Sequence, residues 1–181
     1  SYLKTGHGEI GCEACHRGDP GDPNWQTAHR GIVRDPTFPN ADTACGECHE
    51  EIASSAKDSL HYTLAPFRKT IKARAKKENG DIQTKICGAR EKHCSNCHSS
   101  CGQCHVSRSD YVGGGVLEGH IFQKRPPMDT VCAGCHGGRS YAEYTGANNG
   151  YAADVHYRKE DMKCMDCHTS MEMHASGSKV D

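Results

Sequence analysis

The chain has 181 residues, and its 22 Lys and Arg nearly balance 23 Asp and Glu, for a formal charge of −1. Only 35% of residues are hydrophobic and 6% aromatic, and the mean hydropathy is −0.77. The charge balance gives no support for nucleic-acid binding, no run approaches the about 18 apolar residues of a membrane span, and side-chain burial alone should not offset the ordering entropy of so polar a chain.

Thirteen cysteines and thirteen histidines are the compositional outliers. A disulfide scaffold would use the cysteines but leaves the histidines without a role. The sequence opens on Ser1 without an apolar segment, which reads as a mature product with its export signal removed.

In chain order, the first motif is CEACH (Cys12, Cys15, His16), followed by the turn-rich GDPGDPN at 18–24 and FPNAD at 38–42. CGECH follows (Cys45, Cys48, His49). Helices are predicted over about 46–63 and 66–78. In the second, Phe67, Ile71 and Ala75 form an i, i+4, i+8 stripe, and Pro66 suits a first helical position. Arg68, Lys69, Lys72, Arg74, Lys76 and Lys77 make this segment basic, either as a solvated face or as partners for anionic groups.

Residues 94–105 then read CSNCHSSCGQCH, which is two motifs back to back: Cys94, Cys97, His98 and Cys101, Cys104, His105. After GGG at 113–115 and RPP at 125–127 comes CAGCH (Cys132, Cys135, His136). After GANNG at 146–150 comes CMDCH (Cys164, Cys167, His168). Motif starts are separated by 33, 49, 7, 31 and 32 residues. This describes one domain over 1–181, a loose repeat interrupted by an insert with helices at about 50–80. Short helices in irregular coil are expected, with almost no strand.

Six of six C-x-x-C pairs are followed at once by His, which chance would produce about once in ten million chains of this His content. C-x-x-C-H is the attachment signature of c-type haem: two thiols join one porphyrin edge and the adjacent imidazole ligates the iron. Zinc knuckles and iron–sulfur clusters have no need of a His in that slot. Six haem c groups are therefore expected, and the interior should be packed with porphyrin. Those of the third and fourth motifs must be close neighbours, because the four residues from Cys97 to Cys101 span at most about 14 Å.

Six irons need distal ligands as well. Seven histidines lie outside the motifs: His7, His29, His61, His93, His120, His156 and His174. His93 abuts Cys94 and ranks last, leaving six for six irons. Met128, Met162, Met165, Met171 and Met173 are the competing donors. Cys87 has no cysteine left to pair with.

These motifs, with NWQTAHRG (24–31), DSLHYTLAPF (58–67), LEGHIF (117–122), ADVHY (153–157) and HTSMEMH (168–174), resemble the multihaem c-type cytochromes of microbes that transfer electrons outside the cell. The resemblance implies low-potential bis-His haems, export before haem attachment, electron transfer rather than catalysis, and redox proteins or extracellular minerals as donors and acceptors. Ser1 is not the lipid-anchored Cys of surface relatives, so no anchor is expected. Some members of this class form filaments, and a head-to-tail homopolymer is expected here, with His7 or His174 as candidates to reach a neighbour's iron. A monomeric periplasmic shuttle is the alternative. A nitrite, hydroxylamine or tetrathionate reductase is a third reading, because 153–174 resembles the C-terminal haem region of octahaem reductases, although no C-x-x-C-K motif occurs.

Overall fold

The computed structural model describes residues 2–38, 41–74, 85–86, 88–89, 100–106, 120–148 and 150–176. Among these the secondary structure is entirely helical and irregular, with no strand, as the dense turn signals require. The first and second motifs are preceded by short 3-10 turns at Tyr2–Lys4 and Ala41–Thr43. The helices are α1 Gly6–Glu9, α2 Cys12–His16, α3 Trp25–Ala28, α4 Glu50–Ala56, α5 Leu60–Thr63 and α6 Ala65–Arg74. They continue as α7 Cys101–His105, α8 Ala133–His136, α9 Ala142–Thr145, α10 Val155–Glu160, α11 Cys164–Cys167 and α12 Ser170–His174. Wider π-helical turns at Met128–Cys132 and Gly137–Tyr141 join α8 and α9 into one run.

Polar side chains start most of the free-standing helices. Asn24 accepts from the Gln26 amide, Ser59 from Tyr62, Ser100 from Gln103, Asp154 from His156 and Thr169 from Glu172. Each such cap stabilises its helix by about 1 kcal/mol. They also break what periodicity alone would join. The segment expected as one helix over 46–63 is two, because Ser59 in extended backbone starts α5 afresh after α4 ends. Leu64, in left-handed backbone (φ 51°), then separates α5 from α6. Pro66 is the second residue of α6, where its missing N–H costs no helical hydrogen bond. Phe67 of the expected stripe is exposed and Ile71 half-buried. Ala75, Lys76 and Lys77 lie outside the described residues.

The described residues hold almost no core. Ala41, Ala53 and Met128 are the buried apolar residues, joined by two buried hydroxyls, Ser59 and Ser100. Leu3 is 66% exposed and Trp25, the chain's single tryptophan, 71%. Packing instead runs between segments that carry or follow the motifs: α11 lies against Met128–Cys132, and α12 against α4. Among the described residues no helix is long and apolar enough to cross a membrane.

Candidate functional site

Each described motif closes a single helical turn. The His49 amide donates to the Cys45 carbonyl at 2.8 Å and the His168 amide to that of Cys164 at 2.9 Å. In α2 and α7 the whole C-x-x-C-H sequence is helical, which sets the two cysteines and the histidine at i, i+3 and i+4 on one face. The ten described motif cysteines are Cys12, Cys15, Cys45, Cys48, Cys101, Cys104, Cys132, Cys135, Cys164 and Cys167, and none of them is joined in a disulfide. The third motif (Cys94, Cys97, His98), together with Cys87 and His93, lies outside the described residues.

Eight of the described histidines fall into four pairs between distant segments of the chain. His7 stands 6.3 Å from His49, His120 6.0 Å from His16, His61 6.2 Å from His136 and His174 5.8 Å from His105, measured between ring centroids. Every pair joins one motif histidine to one histidine outside the motifs. An imidazole nitrogen binds a first-row metal at about 2.0 Å and its ring centroid lies about 1.1 Å behind it, so two rings on opposite sides of one ion stand about 6.2 Å apart. The four pairs fit that spacing. Among the described residues no three His, Cys, Asp or Glu converge as a protein-only metal site. Two axial nitrogens are what an iron already held by four porphyrin nitrogens needs from a protein.

Several rings are oriented by their other nitrogen. His16 Nδ1 donates to the Val33 carbonyl at 2.8 Å and His105 Nδ1 to that of Gln123 at 2.7 Å. His29 Nδ1 meets the Trp25 carbonyl at 2.6 Å, His156 Nδ1 the Asp154 carboxylate at 3.0 Å, and His168 Nδ1 the Glu172 carboxylate at 3.1 Å. With Nδ1 carrying the proton, Nε2 presents its lone pair, the arrangement of metal-ligating histidines. Burial lowers the pKa of His61 and of His174, and the neighbouring His136 and His105 add to it. Both effects keep the imidazoles neutral, as ligation demands.

Contacts also order the motifs in space. Arg17, next to the first motif, donates to the Thr43 carbonyl at 2.6 Å and pairs with Glu47 inside the second. The Cys45 and Cys101 thiols of the second and fourth motifs share a hydrogen bond, which raises the pKa of Cys45 and lowers that of Cys101 to about 7. Burial pushes Cys104 up to about 11, with Cys132 and Cys135 of the fifth motif beside it. Burial, with Cys164 of the sixth motif beside it, does the same to Cys132. Arg125 pairs with Asp166 at 2.5 Å across the fifth and sixth. The described motifs therefore neighbour one another in the order first, second, fourth, fifth, sixth. Residues 120–123 tie the beginning together. His120 faces His16, Phe122 stacks on His7 at 4.0 Å, and the Gln123 amide donates to the His105 carbonyl.

Three site residues lack a histidine ring opposite them among the described residues: His29, His156 and His168. All three are exposed. Of the expected boundary-crossing ligands, His7 and His174 are each paired within their own chain. The supporting groups Val33 and Gln123 had no sequence signal, because they act through backbone carbonyls. The Trp25 carbonyl has none either, whereas the Glu172 carboxylate was findable, lying four residues from His168 on a helical turn. The chain matches no protein-family model, no curated protein and no solved structure.

Proposed function

We propose that the chain is a six-haem c-type cytochrome that conducts electrons and has no substrate site of its own. The observation that carries this reading is the pairing of four motif histidines with four histidines from outside the motifs, each at 5.8–6.3 Å. Haem c supplies a one-electron ferric/ferrous couple. The motif cysteines would hold the porphyrins as thioethers. His16, His49, His98, His105, His136 and His168 would be the proximal ligands. His120, His7, His174 and His61 would be distal at the first, second, fourth and fifth sites. Two neutral nitrogens on an iron exclude water and substrate from it. Hydrogen bonds on Nδ1 raise the basicity of His16 and His105 and lower the potential of the iron they hold. The near absence of an aliphatic core among the described residues fits an interior filled by porphyrin.

On this reading the protein is exported before haem attachment and works outside the cell or in the periplasm, with redox proteins or extracellular minerals as donors and acceptors. Electron paramagnetic resonance of the oxidised holoprotein tests it. Low-spin bis-His signals from four or more irons are expected. A chain purified with zinc or an iron–sulfur cluster would overturn it.

A second reading, a multihaem reductase, draws on His168, which faces no other histidine ring among the described residues, and on the neighbouring surface. There a depression of about 530 Å³ is lined by Arg139, Glu143, Tyr144, Tyr151 and Asp154, and the Tyr144 hydroxyl donates to the Met162 carbonyl beside the sixth motif. Binding of nitrite or hydroxylamine to a high-spin iron in the holoprotein would favour it.

A further inference from the structure

We propose that Glu172 is the positioning residue of the sixth motif: its carboxylate, held against His168 Nδ1, lowers the potential of the iron that His168 would ligate. The inference rests on the haem-conduit reading above and deepens it. Among the described residues His168 is the motif histidine whose ring meets a carboxylate. Its Nδ1 stands 3.1 Å and 3.2 Å from the two Glu172 oxygens. His16 and His105 instead donate to the neutral carbonyls of Val33 and Gln123.

The local sequence builds this contact. Thr169 caps α12, and the Glu172 amide donates to its hydroxyl at 3.3 Å. Glu172 is therefore the third residue of the helix, where a glutamate side chain ordinarily returns to the amide of the cap residue. In HTSME the carboxylate turns one residue further back, onto the ring of His168. Contact of α12 with α4 fixes the helix that carries it. A carboxylate behind a ligating imidazole raises its basicity more than a neutral carbonyl does, because a hydrogen bond to an ionised acceptor is about twice as strong. A more basic imidazole and a nearby negative charge both favour ferric over ferrous iron. The couple takes up one electron at the iron, and the proton stays on Nδ1 throughout. The Glu172 side chain is 49% exposed, so water screens its longer-range effect. Its charge nevertheless reaches His61 of the fifth site, where it opposes the lowering of that pKa by burial and by His136. Glu172 thus acts most on the sixth site, less on the fifth and not on the first, second and fourth. It biases an electron on the conduit away from the sixth motif.

Redox titration of the holoprotein followed by electron paramagnetic resonance, with haem counted in every sample, tests the proposal. The wave that disappears in Cys164→Ala/Cys167→Ala identifies the sixth site. Glu172→Gln keeps the shape of the side chain and an acceptor oxygen for Nδ1 but removes the charge. It should keep every haem and the spin state of each iron, move the sixth-site wave to higher potential, move the fifth-site wave less, and leave the others in place. Glu172→Ala should move the sixth-site wave in the same direction. In the triple variant Cys164→Ala/Cys167→Ala/Glu172→Gln, the fifth-site wave alone should move. The proposal fails if Glu172→Gln leaves the sixth-site wave in place or lowers it, or if it shifts every wave alike. It fails too if both Glu172 variants lose the sixth haem, which would make Glu172 a structural residue. A wild-type preparation without haem would instead overturn the conduit reading itself.

Discussion

The rings of His105 and His174 stand 5.8 Å apart with their planes 22° from parallel. The His7–His49 pair is similar at 26°, whereas His16–His120 and His61–His136 cross at 60° and 77°. Near-parallel imidazole planes split two of the iron d orbitals, and crossed planes leave them nearly degenerate. The oxidised holoprotein should therefore show two kinds of low-spin signal, ordinary rhombic ones and ones with a large maximum g value. His174→Ala should reduce the first kind and His61→Ala the second. A purely rhombic spectrum would contradict the pairing.

Six intact motifs predict six haems, each held by two thioethers. Intact mass and a pyridine haemochrome assay should both return six per chain. Replacing Cys164 and Cys167 together by Ala should return five. An unchanged count in that variant would show that the sixth motif carries no haem.

The chain should not fold without its cofactors. Three small or flexible apolar residues are the buried hydrophobic set among the described residues, far too few to balance about 1–2 kcal/mol of backbone entropy per ordered residue. Apo-protein from a host lacking haem maturation should give a disordered circular dichroism spectrum and rapid proteolysis. A native-like spectrum with a cooperative thermal transition would show that the side chains suffice.

Gly102, inside the fourth motif, should not tolerate a side chain. A Cβ there would fall 2.6 Å from Thr37 Oγ1 and 2.9 Å from its Cγ2. Thr37 cannot easily yield, because its hydroxyl binds Asp35 at 2.6 Å and Ser100 at 3.1 Å. Gly102→Ala should cost about 1–3 kcal/mol, the usual range for overpacking, measured by denaturant unfolding of the holoprotein. The double variant Gly102→Ala/Thr37→Ala should lose less than the sum of the two single changes. Strict additivity would mean the two positions do not touch.

The six C-x-x-C-H motifs were legible in the sequence, because each is a five-residue local pattern, and the five that are described each close a helical turn. The helical and irregular character of the described residues was legible too, because turn residues interrupt the chain throughout. The break at Lys57–Ser59 was missed, since periodicity ran through it while Ser59 began a new helix. The matching of histidines was beyond the sequence altogether. Seven histidines outside the motifs exceeded the six motifs by one, but His7 with His49, His16 with His120, His61 with His136 and His105 with His174 are encounters between distant segments. No local spacing encodes them. They follow from the chain's path, from the contact of α12 with α4 and from residues 120–123 crossing three sites. Among the described residues the same path left His29 and His168 without a histidine ring opposite, a fact that only the tertiary structure could decide.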